Sequence, residues 1–217
     1  RQALALRPAP EFEAWLTRCP QRFGIVRPGR RRPLLTHGYL VPSDFDESQQ
    51  HQLALWEHFL RAFGLAGDLD RTPLPGYNGG TPAPVIGFVA GSENTPAKRW
   101  PVAHWRALLS DVLADAPGTR VLLLGTVNDR PITAAIAAGH DSAQVQDLAG
   151  RTSLPEYVEK LRSCSLLVTN DTGGMHLANM LGVPLIALFG PTNPVRTGPV
   201  FSGPVEILQP PDCAKTG

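Results

Sequence analysis

Asn170-Asp171-Thr172-Gly173-Gly174 puts a carboxylate, a hydroxyl and two glycines into five consecutive positions, a composition suited to holding an anion. Glycines let an anion reach the backbone with no Cβ in the way. Where such a turn joins a strand to a helix, free N–H groups and the positive end of the helix dipole point at the same place, so phosphate is the ligand chemistry indicated. The plainer alternative makes Asp171 or Thr172 an N-cap and nothing more. A second polar loop, Gly91 to Pro101, carries Ser92, Lys98 and Arg99 just ahead of Trp100. A lysine there neutralises phosphate as a mobile point charge; alternatively both basic residues are solvated and Trp100 is core. Gly190-Pro191-Thr192 is either a third ligand loop or an ordinary turn. His176 falls one helical turn beyond Thr172, where a lone histidine is more often a structural hydrogen-bonder than a catalyst. Ser92, His176 and Asp171 spell a triad by residue type, but no nucleophile elbow accompanies them. Neither a P-loop nor a G-x-G-x-x-G run occurs.

The elements that must position these loops follow from periodicity. Leu166 to Thr169 reads as a buried parallel strand feeding a helix over Gly173 to Leu181, with Leu185 to Phe189 as the next strand. Upstream, Val85 to Ala90 is a strand, Pro101 stands where a helix starts, and Trp105, Leu108, Leu109, Val112 and Leu113 recur at helical spacing. Val121 to Leu124 is a strand and Asp129 to Ala138 a helix. Ser153 and Glu156 form a capping box for a helix with inner face Leu154, Tyr157, Val158 and Leu161, and Val205 to Leu208 is the last strand. Strands alternating with helices predict an α/β fold with a doubly wound parallel sheet, which places both polar loops at one sheet edge.

Residues 1 to 63 read as part of an α/β unit: a short helix around Phe12, Trp15 and Leu16, a strand over Phe23 to Val26, and a helix with Leu53, Trp56, Phe59, Leu60 and Phe63 on one face. So few strands cannot cover a sheet, so further chain upstream is expected. Residues 64 to 84 carry five glycines and four prolines, which marks a connection and a domain boundary near residue 80. The expected domains are 1–80 and 81–217.

Twenty basic and nineteen acidic residues give a net charge of +1, so nothing global argues for nucleic acid. Arg27, Arg30, Arg31 and Arg32 cluster locally, as a solvated loop or as a docking patch for an anionic acceptor or membrane surface. With 42% apolar residues a sizeable core is available, and no apolar run is long enough to span a bilayer. Cys19, Cys164 and Cys213 show no metal-type spacing and read as reduced thiols.

Lys98-Arg99-Trp100-Pro101, Asp147-Leu148-Ala149-Gly150, the run from Asn170 to Ala178, and Phe189-Gly190-Pro191-Thr192, in this order and spacing, resemble the ADP-heptose:lipopolysaccharide heptosyltransferases, more closely those of the heptosyltransferase II type. The resemblance covers residues 85 to 208 well and 7 to 63 loosely. It implies a glycosyltransferase of the GT-B type, with a Rossmann-like C-terminal domain holding the sugar nucleotide and an incomplete N-terminal α/β domain. It also implies an inverting transfer of heptose from ADP-heptose to a lipid A-Kdo core acceptor at the cytoplasmic face of the inner membrane, without metal or other cofactor.

By motif position the resemblance makes Lys98 the counter-charge to the diphosphate leaving group. Thr172, Gly173 and Gly174 become the phosphate cradle, with Ser92 in the facing loop. Asp171 and His176 fall near the sugar and the distal phosphate, Asp129 at the ribose, and Leu148 and Thr152 near adenine. The aspartate that serves the family as general base lies near its N-terminus and has no counterpart after Arg1, so the chain is expected to be a fragment holding the donor site. Two rival readings stand beside this one: a related transferase using another nucleotide sugar, and a nucleotide-binding module without catalysis.

Overall fold

The computed structural model describes residues 14–65, 70–77, 83–93, 95–211 and 213. Two compact units divide at Leu69/Asp70.

In the first unit, β1 (Phe23–Val26) pairs in parallel with β2 (His37–Leu40), Phe23 opposite His37 and Val26 opposite Leu40. Helix α1 (Gln52–Ala62) begins at His51, whose Nδ1 accepts from the Leu53 N–H at 3.1 Å. Aromatic edges carry the packing: Phe23 stacks on His37 at 4.5 Å, and Phe63 meets Phe23 edge-on at 4.8 Å. Val41 and Leu55 are the buried apolar residues among those described in this unit. At about 1.5–3 kcal/mol per fully buried large aliphatic side chain, its core is thin. The helix expected around Phe12 to Leu16 lies largely outside the described residues; 14–16 are helical.

The second unit is a six-stranded sheet, every neighbouring pair parallel, in the order β5-β4-β3-β6-β7-β8. Its strands are β3 (Val85–Val89), β4 (Arg120–Leu123), β5 (Val145–Asp147), β6 (Leu166–Asn170), β7 (Leu185–Leu188) and β8 (Val205–Leu208). Its helices are α2 (Val102–Asp115), α3 (Arg130–Ala137), α4 (Leu154–Arg162), α5 (Gly173–Met180) and α6 (Pro194–Thr197). The chain runs outward from β3 through β4 to β5, returns to lay β6 beside β3, and then runs outward the other way. Order therefore reverses between β3 and β6, and the loops after those two strands border the crevice where doubly wound sheets bind ligands.

Alternation along the strands builds two cores. Leu122, Leu124, Val89 and Leu167 pack with Met175 of α5 and Leu161 of α4 on one face. Val121, Leu123, Phe88 and Val168 pack with Trp105 and Leu109 of α2 and Ile136 of α3 on the other. Gly87 is fixed by this packing, since a Cβ there would lie 2.7 Å from Leu167 and 2.9 Å from Cys164.

Four expectations change. The Gly/Pro run is not a free connection as far as residue 80: Leu74 N–H donates to Met180 O at 2.7 Å and Ser202 N–H to Arg71 O at 2.9 Å, so residues 71–74 run along the second unit. Strands β2 and β5 escape periodicity, being four and three residues long and partly polar. Helix α3 starts at Arg130, after a 3-10 turn over Val127–Asp129. Leu154, assigned to the inner face of α4, is 70% exposed.

Candidate functional site

A cavity of about 790 Å³ opens at the β3/β6 reversal, and every residue lining it belongs to the second unit. At its centre is the turn from β6 into α5. Thr172 is the N-cap residue, with extended backbone at φ −145° and ψ 171°. Its hydroxyl makes no capping bond, and Oγ1 is buried without a hydrogen-bond partner. The first N–H groups of a helix have no intrahelical partner either. Beyond Gly173 nothing lies within 4 Å of where a Cβ would stand. An open backbone, unbonded donors and an idle hydroxyl therefore face the same space.

Lys98 comes to this turn from the loop after β3. Its Nζ lies 2.6 Å from Asp171 Oδ2, which also accepts from Thr192 Oγ1 at 2.8 Å. The Asp171 side chain is 4% exposed and that of Lys98 22%, so the pair is partly withdrawn from water. Three loops meet there, after β3, β6 and β7. Gly190 allows the last to approach, with the carbonyl of Ala97 3.4 Å from where its Cβ would be. Asn170, fully buried, fixes the loops: its Nδ2 donates to Ala90 O at 2.7 Å, and its Oδ1 accepts the Trp100 N–H at 3.2 Å.

Asp129 is 4% exposed. Its Oδ2 accepts from Thr126 N at 2.8 Å and lies 3.0 Å from Thr126 Oγ1, closing the capping box of the 3-10 turn. Oδ1 is buried without a partner, and a Cβ on Gly91 would lie 2.0 Å from it. Gly91 thus leaves the space that Asp129 fills. Above it, Glu93 accepts from Thr126 Oγ1 at 2.9 Å and Asn128 Nδ2 at 2.5 Å, joining the loops after β3 and β4. Arg130 holds the loop after β5 through Ala149 O at 3.2 Å and Gly150 O at 3.0 Å. Gly150, at φ +61°, packs on the Val127 backbone, which a Cβ there would strike at 2.6 Å. Val127 and Leu154, 57% and 70% exposed, give the cavity apolar walls.

Most residues singled out from sequence gather here: Ser92, Lys98, Asp129, Thr152, Asp171, Thr172, Gly173, Gly174 and His176 all line the cavity. Leu148 does not; it packs against the core on the α4/α5 side. The triad finds no support, because the Asp171 carboxylate bonds Lys98 and Thr192. Sequence reasoning missed Glu93, Thr126, Val127 and Thr197, and it read Leu154 and Tyr157 as core alone. Only strand-end position could have flagged the first three.

The sequence profile of glycosyltransferase family 9 (heptosyltransferase) matches residues 40–215. The chain belongs to glycosyltransferase family 9. Among curated members, lipooligosaccharide heptosyltransferase 2 of Haemophilus influenzae is 40% identical over 120 residues, 54% of this chain and 34% of the relative. Lipopolysaccharide heptosyltransferase 1 of Pseudomonas aeruginosa is 31% identical over 211 residues, 93% of this chain and 58% of the relative. The solved structure of E. coli ADP-heptose lps heptosyltransferase II superposes with a TM-score of 0.71 at 26% identity, covering 94% of this chain and 66% of that one. The matched parts of the two curated relatives are thus 34% and 58% of their lengths. Fold class agrees with expectation: this family 9 chain is α/β of the GT-B type, with a Rossmann-like order in its six-stranded sheet.

Proposed function

We propose that the cavity binds ADP-heptose and that this chain carries the donor half of an inverting heptosyltransferase acting on the lipopolysaccharide inner core. One observation carries the reading. The uncapped start of α5 and the partnerless Thr172 hydroxyl stand where Lys98 is held ready by Asp171. The diphosphate takes the helix N-terminus, the Thr172 hydroxyl and Lys98. Adenine lies toward Val127, Thr152 and Leu154, and the heptose toward His176. The E. coli relative of known structure is named for the same donor.

In the transfer, the bond from the sugar's anomeric carbon to the β-phosphate oxygen breaks and its electron pair leaves with ADP. The acceptor hydroxyl oxygen bonds the same carbon from the opposite face and gives its proton to a base. Negative charge grows on the β-phosphate as this proceeds, so Lys98 and the Thr172 turn favour the transition state over the bound substrate. Asp171 positions Lys98. Among the described residues no helix is long and apolar enough to cross a membrane; the acceptor is met at the cytoplasmic surface of the inner membrane. Arg30 and Arg31 contribute to that encounter, while Arg27 is paired with Glu47 and Arg32 donates to Ile25 O at 2.9 Å.

Calorimetric titration with ADP and with UDP tests the donor. Saturable ADP binding, lost in Lys98→Ala and Thr172→Val and with little response to UDP, is the expected result. Preference for UDP would replace the donor by another nucleotide sugar.

A further inference from the structure

Helical spacing puts Tyr157 on the inner face of α4 with Val158 and Leu161, and its ring does pack on that core. The hydroxyl is placed differently. It reaches the cavity, where a Cβ on Gly174 would lie 2.7 Å from it, so the oxygen stands against the first turn of α5. Among the described residues no hydrogen bond involves this hydroxyl. A phenylalanine would fill the same core space, so packing gives no reason for the oxygen.

We propose that the Tyr157 hydroxyl donates a hydrogen bond to a diphosphate oxygen of the bound nucleotide, as a further donor beside the Thr172 hydroxyl and the leading N–H groups of α5. The inference rests on the nucleotide reading above and names a residue of the same site. Geometry supplies the position, and the missing Cβ of Gly174 supplies the room. The chemistry matches, because an ionised phosphate oxygen only accepts and so needs a group that keeps its proton. Burial, and then the charges of Cys164 and Asp129, push the Tyr157 pKa up, so the phenol remains a donor wherever the protein works. Thr172 Oγ1, buried and partnerless on the same turn, is the second group awaiting the same ligand.

Tyr157→Phe keeps the ring and removes one O–H. Calorimetry on the full chain is expected to give a Kd for ADP raised about ten- to hundredfold, the range for one hydrogen bond to a charged group, with adenosine binding unchanged and the ligand-free thermal midpoint not lowered. An unchanged Kd for ADP would overturn the assignment. Equal losses for ADP and adenosine would also overturn it, by placing the hydroxyl on the nucleoside instead of the diphosphate. Failure of the wild-type chain to bind ADP at all would overturn the nucleotide reading and this inference together, and is told apart by needing no variant.

Discussion

At 2.6 Å from Lys98 Nζ and 2.8 Å from Thr192 Oγ1, Asp171 Oδ2 fixes both the cation and the loop behind it. Removing the lysine therefore does two things. Under the proposed function it takes a positive charge from the leaving group, and it leaves a buried carboxylate with only a hydroxyl for company, which in buried pairs costs about 3–5 kcal/mol. Lys98→Ala in the full-length enzyme is expected to lower kcat by about 10²–10³-fold, the scale for one transition-state donor, and to lower the thermal midpoint as well. Adding Asp171→Asn separates the two effects: the midpoint should recover and turnover should not. Recovery of both would make Lys98 a structural residue. Asp129, which lines the same cavity, also has a structural task. One carboxylate oxygen is taken up by the Thr126 capping box, and the other is buried against Gly91. Its first task is to hold two loops together, and any contact with ribose must be made from there.

At the scale of elements, the glycines record which surfaces touch. Gly91→Ala would press a Cβ into Asp129, and Gly87→Ala would press one into Leu167 and Cys164. Both are expected to destabilise by about 1–3 kcal/mol, as overpacking does, but only Gly91→Ala should also weaken ADP binding, because only it disturbs a cavity loop. Comparing denaturant midpoints with ADP titrations checks the split. How much of this was legible beforehand follows from the same elements. Strands β3, β4, β6 and β7 announce themselves as apolar runs, because a strand covered on both faces has few polar positions to interrupt it, while the exposed edge strand β8 was read from its Val, Ile and Leu despite Glu206. The capping box of α4 was readable for a local reason: Ser153 N–H and Oγ meet Glu156 Oε2 at 2.8 and 2.7 Å with no help from the rest of the fold. Leu154 was misjudged, and the reach of the Tyr157 hydroxyl into the cavity was missed, because periodicity assigns a face and cannot see a cavity cut into it. Leu148, set near adenine by resemblance alone, packs against the core on the α4/α5 side. The turn from β6 into α5 was legible, since its polar residues and glycines are consecutive, whereas Glu93 and Thr126 become a unit only through the sheet.

For the whole molecule, burial sets the response to pH. Burial pushes the Cys164 thiol from 9.0 up to about 12. The folded state therefore keeps a proton that the unfolded chain gives up, so this contribution is present below pH 9 and is lost as pH rises toward 12. Tyr157 acts in the same direction. Thermal midpoints are expected to fall across that window, with a shallower fall in Cys164→Ala; equal slopes would mean that other groups govern alkaline unfolding. Asn170 has its own consequence at this scale. Its side chain bonds residues 80 and 70 positions earlier in the chain, so neither the lysine loop nor the phosphate turn has its final shape until β3 and β6 have met. Pairing across such a separation is a slow event in folding. If the cavity takes the nucleotide as proposed, its capture is then a timer: in refolding, ADP binding should appear with the closing of the sheet's centre, well after helices have formed, and a nascent chain that has not yet emerged as far as residue 170 should not bind ADP at all.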